Sequence, residues 1–251
     1  MPTEEEYSGH SNLELDAQSH RFTEWLYNEV SAGLKGDVLE IGSGIGTYSE
    51  KIIRDKSPVS RVMLTDIAPS YIEALTKKYS FTSNNNVSVS KLDLNRKEDY
   101  EKIGYEKFDS ILGLNVLEHV ENDEFALQQL YRMLKEDGTM VLLVPCHKFL
   151  YNILDKKAGH FRRYTKRELE HKVSKARFTI QRIFSFNMLG IVGWYLNGGL
   201  AKNPQINSTA YRLFDSLVPL SEHAEKLIGR RLGLSIICYL RKEQQKRTFS
   251  Q

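Results

Sequence analysis

The fold class this sequence predicts is an α/β domain on a largely parallel sheet, and three observations predict it. Short apolar runs alternate with helix-length amphipathic runs. A glycine turn, Gly42 to Gly46, separates the first strand-like run from the helix after it. The composition, 41% hydrophobic and 10% aromatic with 6 prolines in 251 residues, suits a chain that buries one large core. That composition excludes disordered and fibrous classes.

In order, Leu13 to Ser31 carries Leu15, Phe22, Trp25, Leu26 and Val30 at three- and four-residue spacings, which predicts one amphipathic helix. Asp37 to Ile41 reads as a strand and Tyr48 to Arg54 as the start of a helix. The alternation continues with strand Arg61 to Thr65, helix Tyr71 to Tyr79, strands Val87 to Leu92 and Phe108 to Leu114, helix Asp123 to Leu134 and strand Thr139 to Val144. Strands alternating with helices make a parallel sheet covered on both faces. Beyond Pro145 a polar basic segment, Cys146 to Arg167, leads to a helix at Arg167 to Ala176 and a strand at Phe178 to Phe184. An apolar and aromatic insertion with a helix at Ser208 to Ile228 follows, and Leu234 to Leu240 closes the sheet. The expected organisation is a single domain over 1–251, with an N-terminal helical lid at 1–35 and a helical insertion or cover at 187–231.

Cys146 and Cys238 lie far apart in apolar runs without metal-ligand spacing, so neither a disulfide framework nor structural zinc is expected. The opening MPTEEEYSGH lacks the basic-then-apolar pattern of a signal peptide, and no apolar run reaches the ~18 residues of a membrane span. The expectation is a cytoplasmic protein without stable membrane insertion. The net charge of +3 hides an uneven distribution: residues 1–40 hold nine acids against two bases, and residues 147–182 hold eleven bases against three acids.

The chemistry-bearing string is VLEIGSGIGTY. Glycines at a strand's carboxyl end permit positive φ and let backbone approach a nucleotide. The positions of a dinucleotide fingerprint fall on Gly42, Gly44 and Thr47, and Glu40 precedes the first glycine by two residues. A carboxylate there repels a pyrophosphate and suits a cation. S-adenosylmethionine, with a sulfonium and an ammonium and no phosphate, meets that charge requirement better than NAD. Asp66 ends the second strand, where it can accept two ribose hydroxyls. Asp93 ends the third, placed for an adenine amino group or, alternatively, as a helix N-cap. Asn115, Glu118 and His119 follow the fourth.

Taken in order, VLEIGSGIG, the acidic end of MLTDIAPS, KLDL, NVLEHV and LKEDGTMVLLVP resemble the successive motifs of the class I S-adenosylmethionine-dependent methyltransferases, over roughly residues 35–185 plus the closing strand. The resemblance implies a Rossmann-like seven-stranded sheet of order 3-2-1-4-5-7-6 with strand seven antiparallel. It implies S-adenosyl-L-methionine as cofactor, S-adenosyl-L-homocysteine as product, and no metal. Carried onto this sequence, it places Glu40, Gly42, Ser43 and Gly44 around the methionine part, Asp66 and Ile67 at the ribose, Asp93 and Leu94 at the adenine, and Asn115 on the sulfonium side.

The string GHFRRYTKREL, Gly159 to Leu169, is similar to a small-molecule subgroup in which G-H-x-R-x-[YF]-[ST] follows strand five and borders the acceptor. His119, His160 and Tyr164 are therefore candidate catalytic groups. Tyr7, His147, Arg162, Arg163 and Trp194 are candidate acceptor contacts, the arginines as an anion clamp. Each has a plainer alternative: His119 as a packed histidine, the basic loop as a solvated face whose Thr165 caps the next helix with Glu168, Trp194 as core packing, Tyr7 as part of a frayed terminus.

The expected function is methyl transfer to an oxygen or nitrogen of a small, anionic or amphiphilic acceptor, by a monomer or homodimer with no nucleic-acid partner. Positioning can contribute ~7–11 kcal/mol of the barrier in such a displacement. The alternatives are a methyltransferase-like regulatory or assembly subunit, disfavoured by the intact motifs, and an RNA or protein methyltransferase, disfavoured by the lack of a wide basic surface.

Overall fold

The computed structural model describes residues 10–55, 58–80, 86–203 and 208–243. Seven strands, β1 (Gly36–Ile41), β2 (Val59–Asp66), β3 (Val87–Lys91), β4 (Phe108–Leu114), β5 (Leu134–Pro145), β6 (Thr179–Phe186) and β7 (Ser235–Arg241), form one sheet of order β3-β2-β1-β4-β5-β7-β6. β1 to β5 pair in parallel, and β7 runs antiparallel between β5 and β6. The predicted topology is the one observed. Strand order turns back between β1 and β4, and at such a switch point the carboxyl ends diverge and leave a crevice.

Two apolar layers follow from the two-residue period of the strands. Met140, Leu142 and Val144 of β5 face one cluster, and Val141 and Leu143 face the other. Helices α5 (Lys97–Ile103), α6 (Asp123–Met133) and α8 (Lys166–Lys175) cover the first face with Tyr100, Leu127, Leu130 and Val173. Helices α2 (His20–Val30), α3 (Thr47–Arg54), α4 (Pro69–Tyr79) and α10 (Ser208–Leu227) cover the second with Trp25, Leu26, Ile52, Leu75 and Val218.

The structure differs locally from the sequence expectation. Leu13 to Ser31 is two helices, α1 (His10–Gln18) and α2, because Ser19 between them is buried outside helical geometry (ψ 79°), and its carbonyl accepts the Thr23 N–H at 2.9 Å. β5 begins at Leu134, paired with Phe108, and a register shift between Phe108 and Ser110 takes up the polar Glu136 to Gly138 stretch. The basic segment after Pro145 contains a helix, α7 (Ile153–Ala158), started by a capping box in which the Asn152 side chain accepts a backbone N–H of the first turn and Asp155 Oδ2 accepts the Asn152 N–H at 2.9 Å. Asp93 does not cap α5, whose N-cap is Arg96; its carboxylate accepts the Asn95 N–H at 2.9 Å and closes a turn.

The two expected covers meet each other. The Phe22 N–H of α2 donates to Asp215 of α10 at 3.0 Å, the Phe22 and Phe214 rings stand 5.4 Å apart, and Arg230 forks onto Glu29. Among the described residues no helix is long and apolar enough to cross a membrane.

Because β7 lies between two antiparallel neighbours with its Ile237 side chain fully buried, Ile237→Ala is expected to lower the unfolding free energy by about 2–5 kcal/mol in urea titration, with an unchanged denaturant slope.

Candidate active site

A cavity of about 420 Å³ opens at the carboxyl edge of the strands. Every residue expected around the cofactor borders it: Glu40, Gly42, Ser43 and Gly44 at the end of β1, Asp66 and Ile67 after β2, Asp93 and Leu94 after β3, and Asn115 after β4. The turn needs its glycines for two reasons. Gly42 has φ +66° and Gly44 φ +53°, and a side chain at Gly42 would collide with Val116. Asp66 anchors the turn, its Oδ2 accepting the Gly44 N–H and its Oδ1 the Ala68 N–H, both at 2.9 Å. A carboxylate has about four acceptor positions, so two bonds leave capacity for a bidentate diol.

Glu40 lies beneath this turn, 4% exposed, accepting the hydroxyls of Ser43 at 3.0 Å and of Ser49. Burial pushes its carboxyl up to about 7 against those hydroxyls, with Asp66 adding repulsion. Asp66 is pushed up as well by burial, opposed by the Ala68 and Gly44 amides. Two desolvated carboxylates with few cationic partners create a negative potential here that a cation relieves.

The opposite end is built around Asp155 of α7, which is fully buried. It accepts His160 Nδ1 at 2.9 Å, Arg163 Nε at 2.7 Å and Trp194 Nε1 at 3.3 Å, the last from α9 (Met188–Trp194). Burial raises its pKa, but the His160 bond, the Arg163 charge and the Asn152 N–H together hold it below the usual carboxylate range. The bond to Asp155 turns His160 Nε2 toward Glu118, 3.9 Å from Oε1. His119 packs edge-on against His160 with ring centres 4.6 Å apart. Burial, with the neighbouring His160 ring adding, lowers its pKa to about 4, so it is a neutral acceptor at neutral pH.

His119, His160, Arg163 and Trp194 border the cavity. Arg163 does so with its charge already neutralised by Asp155 and its guanidinium over the Trp194 ring, 4.7 Å from the centroid. Other expected site residues stand elsewhere. Tyr164 is fully buried and donates to Asp123 at 2.9 Å, and burial followed by the Asp123 charge pushes its phenol far above the ordinary range; it faces the core and not the cavity. Arg162 pairs with Asp123 at 2.9 Å and donates to the Glu121 carbonyl at 2.7 Å, also outside the cavity. His147 stands beside Phe149 and does not border it either. Tyr7 lies outside the described residues. Thr165 caps α8 as expected, accepting the Glu168 N–H at 3.2 Å. Sequence reasoning missed Asp155, whose one local signal was the Asn152-x-x-Asp155 spacing of a capping box.

With this geometry in view, residues 39–140 match the family model described as a methyltransferase domain. That stretch is a methyltransferase domain, and the sheet around it has the fold of the Rossmann-like methyltransferases. An S-adenosylmethionine-dependent methyltransferase from Mesorhizobium loti superposes with a TM-score of 0.60 at 14% identity, covering 87% of this chain and 97% of that one. A Haemonchus contortus phosphoethanolamine N-methyltransferase in complex with S-adenosyl-L-methionine gives 0.57 at 15% identity, covering 84% and 49%. By sequence, this methyltransferase is 29% identical over 130 residues to a Dictyostelium discoideum protein named probable polyketide synthase 42, and spans 45% of this chain and 5% of that protein. It is 24% identical over 151 residues to malonyl-[acyl-carrier protein] O-methyltransferase 1 of Ilyobacter polytropus, spanning 57% of this chain and 53% of that one.

Two expectations follow from the geometry. Tyr164→Phe removes a buried hydrogen bond to a carboxylate, so it should cost about 1–3 kcal/mol in urea unfolding while leaving cofactor affinity and turnover within about twofold of the parent. Glu40, raised to about 7 in the fold from an ordinary 4.5, contributes stability that is fully present below the lower value and is lost as pH rises through the upper one. From pH 6 to 8 that loss is about 1 kcal/mol in the cofactor-free protein, and Glu40→Gln should abolish it in parallel unfolding titrations at the two values.

Proposed function

We propose that this methyltransferase moves a methyl group from S-adenosylmethionine to an oxygen or nitrogen of a small amphiphilic molecule. The observation that carries the reading is one continuous cavity joining the glycine and carboxylate end to the His119–His160–Asp155 end. When bound, the cofactor supplies a methyl on a positively charged sulfur, so displacement needs alignment and water exclusion more than activation.

The chain's residues suit these tasks. Asp66 offers its remaining lone pairs to ribose hydroxyls, and the backbone around Gly42 and Gly44 admits close approach. Glu40 and Asp66 favour a cation over a phosphate. At the other end Asp155 fixes the His160 tautomer with Nδ1 protonated, leaving Nε2 to take a proton from an acceptor hydroxyl or amine. His119, held neutral, is a second acceptor at the same wall. Phe22, Phe186, Trp194 and Phe214 border the cavity and suit an apolar acceptor body under the helices of 1–35 and 187–231, which act as its lid and cover. The anionic part of the expectation loses its carriers, because Arg162 and Arg163 are each paired to a carboxylate. The relatives named as O-methyltransferases support oxygen as the methylated atom.

Calorimetry with S-adenosylhomocysteine should show Asp66→Ala weakening binding about tenfold or more, the scale of one lost charge-assisted bond pair. His160→Ala and Asp155→Asn should bind normally and lose about 10²- to 10⁴-fold in turnover. Unchanged affinity in Asp66→Ala would overturn the donor-site reading. Label appearing only in RNA or protein when a labelled donor is offered a fractionated cell extract would overturn the small-molecule one.

A further inference from the structure

We propose that Glu118, His119 and His160 form a binding site for a divalent first-row transition metal, with zinc the best match, at the acceptor end of the cavity. The three residues each offer one ligand atom, and these atoms lie within 4.8 Å of one another, with His160 Nε2 and Glu118 Oε1 3.9 Å apart. Ligands at about 2.0–2.2 Å from a tetrahedral ion stand about 3.4 Å from each other, so the side chains need close by only an ångström or so.

The surrounding bonds are those that aim imidazoles at a metal. His160 is held through Nδ1 by Asp155, itself fixed by Arg163, Trp194 and the Asn152 N–H. His119 is hydrogen-bonded by the backbone of Gly159. Metal-binding histidines characteristically give their other ring nitrogen to a carboxylate or a backbone carbonyl in this way.

The second observation concerns the carboxylate itself. Glu118 is 0% exposed, and neither of its carboxylate oxygens has a hydrogen-bond partner. A buried carboxylate without donors is among the costliest arrangements in a fold, and a cation is the group that satisfies both oxygens at once. Chain geometry keeps the three together. Glu118 and His119 share the tight turn Leu117–His119 directly after β4, and His160 follows Gly159, whose φ of +77° ends α7 beside it. The Phe161 N–H donating to the Glu118 carbonyl at 2.9 Å ties the two segments.

Two imidazoles and one carboxylate select zinc, cobalt, manganese or iron(II) over magnesium and calcium, which prefer all-oxygen shells. Three protein ligands leave a fourth position, and His119 and His160 border the cavity. An acceptor oxygen in that position would be acidified by coordination, the imidazoles then serving as ligands and not as proton acceptors. That role rests on the proposed methyl transfer; the binding of the metal does not.

The experiment uses the full chain without a histidine tag, stripped with chelator and titrated with zinc by calorimetry, with metal content measured after desalting. One zinc per chain is expected. Asp155→Asn should weaken binding about 10- to 100-fold, His119→Ala/His160→Ala should abolish it, and His171→Ala, an exposed control on α8, should leave it intact. Cobalt substitution of the unmutated protein should give the visible absorption of a four- or five-coordinate site, which decides the matter even if a variant fails to fold. Zinc retained below about a tenth of an equivalent, against the stoichiometric occupancy such sites show, or binding that survives the double variant, overturns the proposal. S-adenosylhomocysteine titrations on the same samples, with and without zinc, separate this failure from a failure of the methyltransferase reading.

Discussion

One buried carboxylate, Asp155, ties together segments that the chain keeps apart. It receives a backbone N–H from its own helix start, an imidazole and a guanidinium from the loop after α7, and an indole from the insertion after β6. Removing the carboxylate would strand the Arg163 charge, 2% exposed, inside the protein, where a lone charge is far costlier than its pair is stabilising. The arrangement is thus enforced from several sides. His160 has little freedom to turn, and Trp194 brings the cover down to the same point. A histidine oriented by a carboxylate that four donors share is positioned before any acceptor arrives, and positioning is the main contribution a protein can make to a displacement at an already activated methyl.

The donor end works on a different principle. There the carboxylates are under-compensated: Glu40 has two hydroxyls, Asp66 has backbone amides, and the Asp66 charge adds repulsion at Glu40. Burial lifts both pKa values, which costs the cofactor-free protein stability near neutral pH. A bound cation would recover that cost. The cavity therefore has one end that is electrostatically incomplete and one that is internally saturated, apart from Glu118, and Asn115 also borders it. This residue leaves β4 at φ +51°, a conformation asparagine tolerates better than most.

The glycine and carboxylate end of the cavity was legible because its information is local. Acids and glycines at the ends of consecutive strands converge whenever the strands are parallel, so Glu40, Asp66, Asp93 and Asn115 could be placed from order alone. The acceptor end was only half legible because sequence proximity does not tell which way neighbouring side chains point. In His160 to Tyr164 the chain is compact, and its residues divide between two carboxylates. His160 and Arg163 reach Asp155, whereas Arg162 and Tyr164 reach Asp123. A string that reads as one cluster of catalytic candidates serves the cavity with one set of side chains and the α6–α8 packing with the other. Asp155 itself showed only its capping-box spacing to Asn152, because its other partners sit five, eight and thirty-nine positions away.

The same division explains the basic stretch. Eleven bases against three acids in residues 147–182 suggested an anion-binding surface, yet the structure pairs five of those bases with carboxylates. Lys172 meets Asp123, Lys175 meets Glu124, Lys148 meets Glu168, and Arg162 and Arg163 meet Asp123 and Asp155. Two of those acids, Asp123 and Glu124, open α6, where negative charge also complements the helix dipole. Three of these bases, Arg162, Lys172 and Lys175, are met by the two acids that open α6, and the pairs dock α8 and the loop before it on α6. Sequence charge counted in a window measures composition; only pairing decides whether that charge faces a ligand. In this fold these paired bases are structural, and the side chains they leave at the cavity wall are His119 and His160, with the buried Glu118 beside them.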